Sequence, residues 1–442
     1  MEGRTLLRER TQFVFSQSII SFLGTAYLTV LFAAGFLTNF VPLGTINTGT
    51  IVLYSIAGIL SSIGVLYLMG PLRKHIAIAA CLLLGLTALI VAKSMVDSNP
   101  ASDRIEELII LSLGAWPFLF FLQIDSPAIR RTFLKTIAIG LFGLSTFSIF
   151  QGIFASSLPL SLFVLRGDEA SAAGDDQFRP TGLTGNPIIF SSILVFASAH
   201  FAALWLEKRR YRFLIALIAS LAANYLTYTR TSIVLVIPVL IFVWLFHNRF
   251  RVKHKILTLG IMVLAIAGAQ YILVKSQDSI IVQRLLVSNP ESAGSTLEHF
   301  RQIQAAEDAI VTHPFAGAGM GSQGDFVGPG NPIITDGAWW ILALEFGLPL
   351  SVLAVLSLLI VLIPLAKHVL HWDSKNRALA IATLAFHAFI IPANFISSGI
   401  LGHISFGLYW AVLGLSLAGM NSNPTLRPGR TPAKLLAESS IN

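Results

Sequence analysis

The sequence predicts an all-α polytopic membrane protein of about twelve transmembrane helices, with a long extracytoplasmic loop that contains a short amphipathic helix. Three observations predict it. Of the 442 residues, 55% are hydrophobic and only 12% are charged, about half the charged share of an ordinary soluble domain. Apolar stretches near the 20 residues needed to cross a bilayer recur along the whole chain. The basic residues collect in alternate loops between those stretches. Together these exclude a disordered chain and argue against a soluble globular enzyme.

The stretches run over 12–36, 51–70, 76–92, 107–124, 134–155, 187–206, 212–227, 231–247, 256–274, 337–366, 378–397 and 403–419. The first follows the arginine-containing segment Met1–Arg10. It is too long for a signal-peptide core and lacks a small-residue cleavage site, so it is expected to be retained. Twelve spans put both termini on one side. The loops on that side are Arg4–Arg10, Arg73–Lys74, Arg130–Lys135, Lys208–Arg212, Arg249–Lys255, Lys367–Arg377 and Arg427–Lys434. They hold 22 of the 30 Lys and Arg residues. The positive-inside rule assigns this side to the cytoplasm. The +8 formal charge is therefore a topology signal and not a nucleic-acid site.

The resulting order is a cytoplasmic N-terminus (1–11), spans one to nine (12–274), an extracytoplasmic loop (275–335), spans ten to twelve (336–419) and a cytoplasmic tail (420–442). Both termini are expected on the cytoplasmic side of the membrane. Three external segments are long: Lys93–Glu107, Ala155–Asn186 and Lys275–Asp336. The last is too long for a simple connection, and function is expected there. ATP is absent outside the cytoplasm, so chemistry on that face requires a substrate activated beforehand.

Within that loop, Ser295–Val311 reads as a helix. Leu297, Phe300, Ile303, Ala306 and Ile310 recur at three- and four-residue spacing. Ser295 and Glu298 fit a capping box, and Pro314 stops the helix. Glu298, Arg301, Gln304 and Asp308 form its polar side. A glycine-rich run follows, with Gly317, Gly319, Gly321 and Gly324. Such glycines either bring backbone N–H groups close to an anion or form a turn that closes the helix onto the membrane. Asp336 then enters the tenth span as a helix cap or as a carboxylate at the membrane surface. Trp339 and Trp340 fit interfacial anchors or sugar-stacking platforms. Glu345 lies about two turns into an apolar helix, where a carboxylate needs a cavity or a partner.

Three arginines stand out. Arg179 lies in Arg-Pro-Thr-Gly-Leu-Thr-Gly-Asn-Pro before the sixth span. Arg230 lies in Tyr-Thr-Arg-Thr-Ser between two apolar stretches, and Arg301 lies on the loop helix. Each fits a headgroup contact or an ion pair, such as Arg301 with Glu298. Together they suit a diphosphate, because guanidinium is permanently charged and presents a planar fork to phosphate oxygens. His299 and His313 have no second ligand at metal spacing. His387 and His403 fit packing positions, and the single Cys81 excludes a disulfide framework.

Arg179–Pro187, Thr229–Ser232 and the stretch from Arg301 through His313-Pro314 and Gly317–Gly321 to Asp336–Gly347, in this order, resemble the O-antigen ligase and polymerase family of bacterial membrane glycosyltransferases. The similarity covers mainly residues 179–366. It implies a metal- and cofactor-independent enzyme at the outer face of the inner membrane. The donor would be an undecaprenyl-diphosphate-linked oligosaccharide, held by Arg179, Arg230 and Arg301. Ligases of the family transfer glycan to lipid A core, and polymerases transfer it to a further lipid-linked repeat unit. Ligases open the helix after the glycine-rich loop with His-Asn, eleven residues before a glycine. Counting back from Gly347 gives Asp336-Gly337 here, which points to a polymerase or to another acceptor. For such a transfer Asp336 is the candidate general base, with Glu345 in reserve. The resemblance also implies the bilayer, a flippase and a chain-length regulator as partners.

The competing reading is a lipid-linked oligosaccharide flippase. Such a transporter carries charges within many spans along a central path. Here most spans are charge-free and the unusual residues gather at one face.

Overall fold

The computed structural model describes residues 17–40, 48–68, 74–96, 114–124, 126–154, 179–182, 184, 186–227, 229–247, 302–320, 337–370, 377–394 and 403–420. They are helical with no strand among them. The order is α1 (Gln17–Phe40), α2 (Thr48–Leu68), α3 (Lys74–Val96), α4 (Pro117–Phe121), α5 (Pro127–Phe154), α6 (Pro187–Lys208), α7 (Tyr211–Leu226) and α8 (Arg230–His247). Then come α9 (302–312), α10 (Ala338–Leu370), α11 (Arg377–Ala393) and α12 (His403–Gly419).

Among the described residues, α3, α5, α6 and α10 are long and apolar enough to cross a membrane, and shorter apolar helices surround them. The chain is a multi-pass membrane protein. Ten of the expected spans have a long helix as counterpart among the described residues, with ends shifted by a few residues. The stretch 107–124 is described only from 114 onward, where residues 114–115 are helical and the five-residue α4 follows with every side chain buried. Pro117 at its start supplies a preset backbone angle and needs no N–H partner. α4 lies between α2 and α12, where Gly64 and Gly414 admit its backbone closely. The stretch 256–274 lies outside the described residues.

α6 is the central helix, packed against α7, α8 and α11. It is apolar all round, and most side chains from Pro187 to Leu206 are buried, as expected of a helix enclosed by others. Its polar residues turn inward: Ser198 Oγ meets Ser220 Oγ of α7 at 3.0 Å. Between apolar helices in lipid, hydrogen bonds of this kind add to packing.

Contacts at the helix ends fix direction. Arg377, opening α11, donates through Nη2 to Phe246 O (2.9 Å) and Val369 O (2.7 Å). Ala378 N–H donates to Glu207 Oε2 at 3.1 Å. The last turns of α6, α8 and α10 and the first turn of α11 therefore share one end of the bundle. The starts of α6, α8 and α10 and the close of α11 share the other. That second end carries the candidate site.

Candidate functional site at one end of the bundle

The segment before α6 is a built loop. Asn186 Oδ1 accepts from Ile188 N–H and Ile189 N–H at 2.8 and 3.2 Å, capping α6. Thr184 Oγ1 lies within hydrogen-bond distance of Thr181 O (2.9 Å) and Asn186 O (3.0 Å). Gln151, buried on α5, grips the loop from behind: its Nε2 donates to Gly182 O (3.1 Å), and its Oε1 accepts from Gly182 N–H (2.9 Å). Gly182 has φ +58°, and a Cβ there would strike the Phe190 ring.

This loop presents Arg179. Its Nε donates to Thr227 O at 3.0 Å and its Nη2 to Thr229 Oγ1 at 3.2 Å. Thr227 and Thr229 form the short turn between α7 and α8, and the next residue, Arg230, opens α8. The turn is itself braced. Thr227 Oγ1 donates to Asn224 O (2.7 Å) and Ser232 Oγ to Thr229 O (2.8 Å). Thr229 Oγ1 is also within reach of Pro187 O (3.4 Å). Two arginine-bearing segments about 50 residues apart in sequence thus share one hydrogen-bonded unit. The reading from sequence missed Gln151 and the two threonines. Gln151 was signalled only as a polar residue inside an apolar stretch.

The second part of the site is the start of α10 with α9 packed on it. Ile310 of α9 packs with Ala343 and Leu344, flanked by Ala309 and Trp340. Ala306 is buried, while Gln304, Glu307 and Asp308 are exposed. The helix ends at Thr312 and Pro314 follows. Of the predicted apolar stripe, Ala306 and Ile310 are buried and Ile310 packs on α10, while Ser295–Arg301, with Leu297 and Phe300, lie outside the described residues.

α10 is broken at Gly347, which has φ +79° and ψ 165°. In an unbroken helix Leu348 N–H would donate to Leu344 O. Here Leu348 N–H donates to Pro314 O (2.9 Å), and Leu344 O accepts from Ala318 N–H (2.6 Å). Pro314 O and Ala318 N–H are themselves four residues apart. Two potential helical bonds are exchanged for two cross-bonds. Gly317, with φ +69°, and Gly347 face each other at the crossing. A Cβ on Gly317 would lie 2.5 Å from Glu345 O, and one on Gly347 would strike Phe315 O. Gly317 N–H is already donated to His313 O at 2.9 Å. This glycine admits a backbone crossing, and its amide is engaged within the chain. Glu345 is buried beside the break.

Trp339 is buried, with its indole Nε1–H donating to Ile391 O (2.6 Å). Its backbone N–H donates to Asn394 O at 3.3 Å. It holds the start of α10 against the close of α11. Trp340 is partly buried against α9. Gly319 has φ +106°. Arg301, Gly321 and Asp336 lie outside the described residues. Among the described residues, no three His, Cys, Asp or Glu side chains form a metal-binding group.

No curated protein matches the chain. Residues 214–355 match the family model described as O-antigen ligase. That range contains the turn opening on Arg230, α9, the glycine-rich crossing and the break at Gly347. Arg179 precedes it but is bonded into it. The match to that family model runs from α7 to the middle of α10, across the candidate site.

Proposed function

We propose that the protein is a polysaccharide polymerase. It transfers an undecaprenyl-diphosphate-linked glycan to a lipid-linked repeat unit at the outer face of the bacterial inner membrane, in surface polysaccharide biosynthesis. The observation that carries this reading is the Arg179 guanidinium hydrogen-bonded to the turn that opens on Arg230, at the edge of a region matched by the O-antigen ligase family. The termini would then be cytoplasmic. A flippase would deliver the units, and a chain-length regulator would act on the product.

In this mechanism an acceptor hydroxyl attacks C1 of the donor sugar from the face opposite the diphosphate. The C1–O bond to the diphosphate breaks, configuration inverts, and the hydroxyl proton passes to a base. Asp336 is the proposed base, with Glu345 in reserve. A positioned base contributes about 10²–10⁴ in rate. Arg179, Arg230 and Arg301 stabilise charge on the departing diphosphate, each for about 10²–10³. Gly319 and Gly321 remain candidates for backbone contact with the diphosphate, and Trp340 for contact with sugar. No metal or organic cofactor enters the scheme.

Arg301→Lys is expected to fail, because an ammonium cannot reproduce a bidentate fork. Wild-type polymer length in that variant would remove the diphosphate clamp. Asp336→Asn is expected to express normally and make little polymer; normal chain length would remove its role as base.

The second reading is a ligase, which the same family match accommodates equally. A deletion strain separates the two. Loss of long chains while single units still reach the surface supports a polymerase. Long chains retained on the undecaprenyl carrier support a ligase. An unchanged pattern would favour a transporter.

A further inference from the structure

We infer that Gly317 and Gly347 are positioning residues for glycan transfer: a reciprocal backbone clasp that sets the external loop on the broken α10. This rests on the transfer reaction proposed above. The geometry has three parts. The cross-bonds Ala318 N–H to Leu344 O and Leu348 N–H to Pro314 O replace bonds that each segment would otherwise make within a helix. Both glycines hold positive φ, which side chains rarely adopt. Each glycine also abuts the backbone of the other segment: Gly317 meets Glu345 and Gly347, and Gly347 meets Phe315 and Gly317.

The break is stable in its own right. Ser351 Oγ donates to Gly347 O at 2.8 Å. Pro349 has no N–H to donate to Glu345 O, and Gly317 approaches that carbonyl closely.

The clasp links two segments that adjoin reaction candidates. Arg301 directly precedes α9 in sequence, and Asp336 lies two residues before α10. Glu345 sits at the crossing itself. Opening the clasp would let α9 and the start of α10 shift relative to each other. A misplacement of about 1 Å at a reacting centre typically costs about 10²-fold. The Arg179 unit hangs on α5 to α8 instead, through Gln151, Thr227 and Thr229. It should be unaffected by opening the clasp.

The test uses the full-length protein in nanodiscs with Gly317→Ala, Gly347→Ala, the double variant and Gly143→Ala. Gly143 has open space where a Cβ would be placed, so that variant is the matched control. Transfer from undecaprenyl-diphosphate-linked repeat units is measured per folded molecule, alongside hydrogen exchange. Each clasp variant is expected to lose about 10²-fold in turnover and less than threefold in donor KM. The double variant should lose no more than the worse single one. Exchange should accelerate at Ala318 and Leu348 and stay unchanged in α6 to α8.

Wild-type turnover in folded clasp variants would overturn the proposal. So would additive losses, or exchange that rises equally throughout α6 to α8. If the wild type itself transfers no glycan, the proposed reaction fails, and positioning for it fails with it. The exchange measurement then still decides, separately, whether the clasp exists.

Discussion

The two ends of the bundle use arginine in opposite ways. At one end Arg377 is buried and donates to the last-turn carbonyls of α8 and α10, while Glu207 accepts from the first turn of α11. Cations suit helix C-termini and anions suit N-termini, and these contacts tie four helices together. At the other end Arg179 braces an irregular turn through one carbonyl and one hydroxyl. The turn continues into Arg230, and nearby glycines hold backbone angles that helices do not use. One arginine completes a helix junction. The other holds two loops in a fixed relation. The difference separates an end that closes helix termini from one that fixes two irregular segments against each other.

Substitutions at the two ends should therefore fail differently. The largest expected effect is Arg179→Lys. A lysine cannot donate along both directions of the fork, and transfer should fall about 10²-fold with thermal stability nearly intact. Glycan transfer and thermal unfolding on the same preparation check both halves, and equal losses in the two would erase the contrast. Arg377→Ala should do the reverse. It leaves buried helix-end carbonyls without their donor, at about 2–3 kcal/mol, seen as a lower unfolding temperature in detergent. Activity per folded molecule should be unchanged.

Smaller effects sharpen the comparison. Gln151→Leu removes both bonds to Gly182 and should cost about 1–3 kcal/mol. Because it loosens the loop that carries Arg179, it should also weaken transfer, unlike Arg377→Ala. The smallest is Asn186→Ala, which removes the α6 cap for about 1 kcal/mol. Unfolding midpoints of the three variants, ranked, test the order.

The membrane helices were legible because a bilayer demands long apolar runs, and α6 or α10 could hardly read otherwise. The face of α9 was legible for the same kind of reason: Ala306 and Ile310 sit at helical spacing and are buried, and Ile310 packs on α10. α4 was not legible as a short helix. Its Phe-rich sequence has the hydropathy of a span, and only its enclosure between α2 and α12 shows its use.

The arginine at 179 could be picked out as a cation near the membrane. Its partners could not, because Thr227 and Thr229 lie some 50 residues away and nothing local marks them. The glycine-rich run was visible too. Its two readings, anion cradle or close turn, differ only in where the amides point. Gly317 N–H donates to His313 O, which resolves that glycine toward a close backbone crossing. Trp339 had the pattern of an interfacial anchor. Its partner at Ile391 O depends on α11 ending there, where a last-turn carbonyl has no helical N–H to accept.

The most direct measurement is the binding of undecaprenyl diphosphate to the protein in nanodiscs, comparing wild type, Arg179→Lys and Arg377→Ala on the folded fraction of each. The expected result is saturable binding to wild type, at least tenfold weaker binding to Arg179→Lys, and wild-type binding to Arg377→Ala. Equal affinity in wild type and Arg179→Lys, or no saturable binding at all, would contradict a diphosphate site at the Arg179 end.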